Sequence, residues 1–126
     1  MKVVLDASAV LALILREPGA DRVQDEIGDA AISAVNMAEV FARCQSRGLD
    51  PARIGGICVD LGLETLPFTA AHALLAGQLR ASTRALGLSL GDRACLATAM
   101  LEKRPVLTAD RAWLRLDLGV EIVSIR

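Results

Sequence analysis

Short apolar runs of strand length recur along this chain, each followed by a helical pattern, and that alternation decides the fold class. The five runs are Lys2–Leu5, Ala30–Ser33, Leu63–Leu66, Val106–Thr108 and Glu121–Ser124. In the first, Val3, Val4 and Leu5 follow one another without a polar break, as in a strand covered on both faces. Helices are predicted over Ser8–Arg16, Asp21–Ile27 and Ala34–Arg47, from Asp50-Pro51 onward, from Thr69 to about Ala85, and over Ser89–Lys103. A helical turn is predicted at Asp110–Leu114. Punctuation agrees: Glu17-Pro18-Gly19 breaks the first helix, Asp50 and Thr69 are caps, and Gly48 and Gly87 are stops. Met37, Val40, Phe41 and Cys44 fall at i, i+3, i+4 and i+7, which marks the buried stripe of the third helix. Strands that alternate with helices form a parallel sheet covered on both sides. The expectation is a three-layer α/β/α sandwich around a central, mainly parallel five-stranded sheet, as one domain over residues 1–126.

Composition narrows what such a domain does. With 53% hydrophobic residues the chain can build a core, which excludes disorder. The charge-free stretch Ala7–Leu15 stops at Arg16, far short of the roughly 18 apolar residues of a membrane span. Met1-Lys2 runs directly into the first strand with no cleavage-site pattern, so no secretory signal peptide is expected. So high an apolar fraction in so short a chain points to a surface for a second copy or a partner. Cys44, Cys58 and Cys95 are odd in number and lack CxxC spacing, which reads as buried thiols in a reduced cytoplasmic protein. His72 has no second histidine at ligand spacing and is read as a helix-surface or hydrogen-bonded side chain. Net charge is −1, against a generic basic nucleic-acid patch, yet 12 of the 14 basic residues are arginine. If metal neutralised four of the acids, the remainder would lean basic and suit phosphate contacts.

Four carboxylates stand where charge is costly. Asp6 directly follows the first strand, Glu39 lies within an apolar helix, Asp92 opens another helix that reads as buried, and Asp110 follows the fourth strand. In an open parallel sheet the carboxyl ends of the strands face a common crevice where ligands bind. Four carboxylates there would raise one another's pKa, and a hard divalent cation removes that cost. All-oxygen ligation favours Mg2+ or Mn2+, one ion or two. An acidic pocket of that kind suits metal-assisted phosphodiester hydrolysis. Each acid also has a plainer reading. Asp6 or Ser8 would cap the helix that follows, Glu39 and Arg43 would form an i, i+4 pair, Ser89 and Asp92 a capping box, and Thr108 and Asp110 caps of the last short helix. All four acids at converging positions favour a site.

The segments Val4–Ala9, Ile32–Val40, Leu88–Ala99 and Leu107–Trp113 carry those acids in an order that resembles a PIN domain, and specifically the VapC toxins of bacterial toxin–antitoxin pairs. The resemblance spans nearly the whole chain. It implies a Mg2+- or Mn2+-dependent endoribonuclease with Asp6, Glu39, Asp92 and Asp110 as catalytic and metal-holding acids. Ser8, Asn36 and Thr108 would be supporting polar residues. It further implies an RNA substrate, a homodimer and a VapB-like antitoxin partner. Asn36 sits where many relatives carry a small hydroxyl residue, Ala112 replaces an acid or other polar residue found in some members, and Trp113 stands where phenylalanine is common. Haloacid-dehalogenase-type phosphotransfer would need an acid at Ser8 and another at Leu96. A response-regulator receiver would need a lysine after a late strand, and the only lysines are Lys2 and Lys103. The alternative from another class is a catalytically silent PIN-like domain that binds protein or RNA.

Overall fold

The computed structural model describes residues 2–126, and its central strand is completely buried. Val3, Val4 and Leu5 of β1 (Val3–Leu5) have no exposed surface. After β1 come α1 (Ala7–Leu15), α2 (Ala20–Glu26), β2 (Ala30–Ser33), α3 (Ala34–Ser46), α4 (Pro51–Asp60) and β3 (Glu64–Leu66). The chain continues through α5 (Ala70–Thr83), α6 (Leu90–Glu102), β4 (Val106–Thr108) and β5 (Ile122–Ser124). Single 3-10 turns cover Ile27–Asp29, Arg84–Leu86 and Arg111–Arg115. Each expected element is present, with boundaries within about two residues of those expected. The five strands form one sheet in the order β3-β2-β1-β4-β5, parallel throughout.

Alternation along the strands divides the core into two layers. Val3, Leu5, Ala30, Ile32 and Leu107 point into the layer of α1–α4, where they meet Val10, Val23, Met37, Val40 and Ile54. Val4 and Val106 point into the layer of α5 and α6, against Leu79, Cys95, Leu96 and the fully buried Trp113. Met37, Val40 and Cys44 are buried on α3 as expected, and Phe41 is half-buried. At the outer edge, β3 exposes Glu64 and Thr65, polar residues that discourage pairing with another strand.

Local chemistry starts and stops the helices. Ser33 accepts from Val35 N–H to cap α3, and Asp50 accepts from Ala52 N–H with Pro51 at the first position of α4. Thr69 and His72 form a reciprocal capping box on α5, so the single histidine is spent on a helix end. Between α1 and α2, Gly19 has φ +95°, and a Cβ there would lie 2.6 Å from the Ile125 carbonyl oxygen, so only glycine lets the C-terminal segment pass. Cys44, Cys58 and Cys95 are free and buried. Among the described residues no helix is long and apolar enough to cross a membrane.

The connection order positions the site. From β1 the chain steps outward to β2 and β3, then returns across the sheet to β4 on the other side of β1. Adjacent β1 and β4 are therefore the strands at which the winding reverses, and a crevice opens at their carboxyl ends. Leu107 on β4 contacts the larger core layer and has no exposed surface. Leu107→Ala is expected to cost about 2–5 kcal/mol of stability through lost burial and a residual cavity. Urea unfolding should show a lower midpoint at unchanged slope; an unmoved midpoint would contradict this packing.

Candidate active site at the carboxyl ends of the central strands

Asp6 leaves β1 at the switch between β1 and β4, and only 5% of its surface is exposed. It occupies the N-cap position of α1 but makes no side-chain cap bond, so capping does not account for it. Its Oδ2 accepts from Ser8 Oγ at 2.7 Å and from Thr108 Oγ1 at 2.8 Å. Both hydroxyls also accept: Ser8 Oγ from Ala109 N–H at 3.0 Å, and Thr108 Oγ1 from Asp110 N–H at 3.0 Å. The two polar residues thus lace β1 to the segment after β4 through one carboxylate oxygen. Burial drives the Asp6 carboxyl up from an ordinary value of 3.8 to about 6. The Ser8 and Thr108 hydrogen bonds oppose that rise, and the charge of Asp92 adds to it.

A second group forms where α3 meets the start of α6. Asn36, fully buried, donates from Nδ2 to Glu39 Oε1 and to the Gly91 carbonyl oxygen, each at 2.9 Å. Glu39 itself is exposed, not enclosed as its apolar helix suggested, because α3 turns that side toward the crevice. No Glu39–Arg43 ion pair forms among the described residues; the tie to Asn36 draws the carboxylate toward the N-terminal end of α3 instead. Asp92 follows Gly91 directly and is half-buried. It completes the capping box with Ser89, accepting from Ser89 N–H at 3.0 Å. One turn along, the buried Cys95 thiol is pushed well above its ordinary value by burial first, then by the charges of Asp6, Asp92 and Glu39. Asp110 is exposed, and its carboxylate accepts from Ala112 N–H at 3.0 Å as the cap of the last 3-10 turn.

The plainer readings thus hold in part: Asp92 and Asp110 do cap their helices, whereas Asp6 and Glu39 do not cap. Gly91, which meets both Asn36 and Glu39, is a contact that the sequence pattern does not mark, although a glycine inside a helix is a costly choice and hence a signal. The donors are all carboxylate, amide and hydroxyl oxygens, and Asp6 is a buried carboxyl under the charge of another acid, which fits a hard divalent cation. As the side chains stand, no group of three or more His, Cys, Asp or Glu among the described residues is gathered closely enough to hold an ion. The caps turn Asp92 and Asp110 toward their own helices.

A family model described as the PIN domain matches residues 3–118. The chain belongs to the PIN-domain family. No curated protein matches it. Solved structures similar to this PIN domain include a toxin–antitoxin complex from Klebsiella pneumoniae, with TM-score 0.81, 18% identity and 98% of each chain covered. DNA-bound VapBC from Salmonella typhimurium has TM-score 0.73 and 20% identity, covering 100% of this chain and 99% of that one. VapBC-5 of the VapBC toxin–antitoxin family, from Mycobacterium tuberculosis, has TM-score 0.58 and 24% identity, covering 99% and 98%. At these identities the likeness establishes that the PIN fold is shared.

The buried Asp6 links stability to pH. Its folded-state value near 6 lies above the ordinary 3.8, so the folded protein binds this proton more tightly than the unfolded chain. The associated stability is fully present below about pH 4 and is lost as pH rises through about 6, a difference on the order of 3 kcal/mol. In chelator-treated protein, the stability of Asp6→Asn relative to wild type should therefore increase from pH 5 to pH 8. Paired urea unfolding curves at the two pH values measure this, and a constant difference would refute the shift.

Proposed function

We propose that this PIN domain is the toxin of a VapBC-type pair and acts as a Mg2+- or Mn2+-dependent endoribonuclease that hydrolyses RNA phosphodiester bonds. The observation that carries the reading is Asp6, an ionisable group kept in the core at the strand switch point at a cost to stability. Asp6, Glu39, Asp92 and Asp110 would hold one or two ions. Such an ion, when bound, supplies water activation and neutralises charge on the phosphate. Ser8 and Thr108 engage Asp6 Oδ2, fixing the carboxylate and leaving Oδ1 outside those two bonds. The arginine-rich remainder of the chain suits the RNA backbone.

An antitoxin partner is supported by the toxin–antitoxin complexes among the fold neighbours and by an apolar groove of about 580 Å3 between α1 and α4. Val10, Leu13, Ile14 and Ile54 line it, and Ile57 and Leu61 stand exposed on its rim. Exposed Leu74 on α5 and Leu90 at the start of α6 support a homodimer. Three free thiols suit the reducing cytoplasm. The capped positions of Asp92 and Asp110 favour the rival reading, a silent PIN-like binding module.

Cleavage of total RNA with Mn2+, with the ends mapped, separates the two. Wild type should cut at defined sites and Asp6→Asn should fall to background while remaining folded. Mn2+ at a hundred times its Kd should stabilise wild type by about 2.7 kcal/mol and leave Asp6→Asn unchanged. Equal cleavage by both proteins, or a melting curve indifferent to millimolar metal, would count for the silent module.

A further inference from the structure

We infer that Asn36 and Gly91 together form a seat that positions the Glu39 carboxylate over the first turn of α6, beside Asp92. The inference rests on the reading of Glu39 as one of the metal-holding acids. Both partners of Asn36 Nδ2, Glu39 Oε1 and the Gly91 carbonyl, are acceptors, so one amide proton holds Glu39 within α3 and the other ties α3 to α6 across 55 residues of sequence. The same amide leaves its Oδ1 buried without a partner. An apolar side chain of similar volume would fill this space without stranding an oxygen, so packing alone does not account for an amide here. What the amide adds is the hold on Glu39.

Gly91 tells the same story from the other side. It is the second residue of α6, where alanine would ordinarily be the more stable choice, and its backbone is not in the left-handed region. What a Cβ would meet is Glu39: the carboxyl carbon and Oε1 would lie 2.6 Å away, and Oε2 closer still. The missing side chain is therefore the space the carboxylate occupies. The first N–H groups of a helix have no intrahelical acceptor, and the positive end of the helix dipole favours an anion at this place. Glu39 is thus held in a shallow notch next to Asp92, while its helix leaves it otherwise free in solvent. Asn36 and Gly91 are positioning residues; neither is required to touch substrate.

Gly91→Ala tests this, because the group it displaces is the flexible end of a side chain and the helix tolerates alanine. Its melting temperature should equal or exceed that of wild type. Mn2+ affinity and RNA cleavage should each fall about 10–100-fold, the usual effect of removing support from a ligating group. In a Glu39→Ala background the same change should have no further effect. Asn36→Leu should lower Mn2+ affinity likewise; if it fails to fold, Gly91→Ala decides. A readout independent of metal and RNA is the Asn36 side-chain amide signal in a 1H–15N spectrum of metal-free protein. It should be protected from exchange in wild type and shifted in both Gly91→Ala and Glu39→Ala. An unshifted Asn36 signal in Gly91→Ala, or a loss of affinity that persists undiminished in the Glu39→Ala background, overturns the seat. If Asp6→Asn keeps wild-type metal binding and cleavage, the nuclease reading fails, and the amide signal still decides the seat. If Asp6→Asn loses both while Gly91→Ala keeps both, the seat alone fails.

Discussion

The carboxylate of Asp6 sits in the core at the end of the central strand, and the surrounding structure is arranged to keep it there. Removing a carboxylate from water is costly, and the cost surfaces as a pKa of about 6. The Ser8 and Thr108 hydroxyls offset part of it by donating to a single oxygen. They in turn accept backbone N–H groups from Ala109 and Asp110, so the turn after β4 is built on the same carboxylate that ends β1. Two adjacent strands whose connections leave in opposite directions are thereby fastened at the one edge where the sheet opens.

Across the crevice, α3 and α6 are joined on a different principle. Asn36 is buried with one satisfied end and one unsatisfied end, and Gly91 gives up a side chain in a helix. Both are local losses of stability, and both concern the place of Glu39. Asp6, Asn36 and Gly91 are thus three positions at which local stability is lower than it could be, gathered at one end of one sheet. Such clustering is expected where a fold carries a site and is offset by packing elsewhere, here by two apolar layers around β1.

Fold class was legible because its signals are local. A strand buried on both faces must be apolar without interruption, and Val3-Val4-Leu5 is. Helix ends advertise themselves through Asp50-Pro51, Thr69 and Ser89, and all of these cap as expected. The free buried thiols and the satisfied His72 were legible for the same reason. Glu39 was not: its apolar neighbours on α3 suggested enclosure, yet which side of a helix faces a crevice depends on the helix packed against it, and α6 lies 55 residues away. The Glu39–Arg43 pair has helical spacing but does not form, since Asn36 competes for the carboxylate with a donor already fixed by burial.

By itself, the sequence determined that short apolar strands and capped helices alternate, hence a parallel three-layer sandwich, and that four acids fall near its strand and helix ends. Backbone propensity and burial periodicity are written residue by residue, so no tertiary information was needed. Only the tertiary structure decided the strand order, and with it that β1 and β4 are neighbours. That adjacency turns Asp6, Ser8 and Thr108 into one hydrogen-bonded unit, although Ser8 and Thr108 are 100 residues apart. It also decided that Asp92 and Asp110 spend their carboxylates on their own helix ends while Glu39 rests against Gly91. A side chain's partners depend on distances that close only when the layers pack, and no local pattern encodes them.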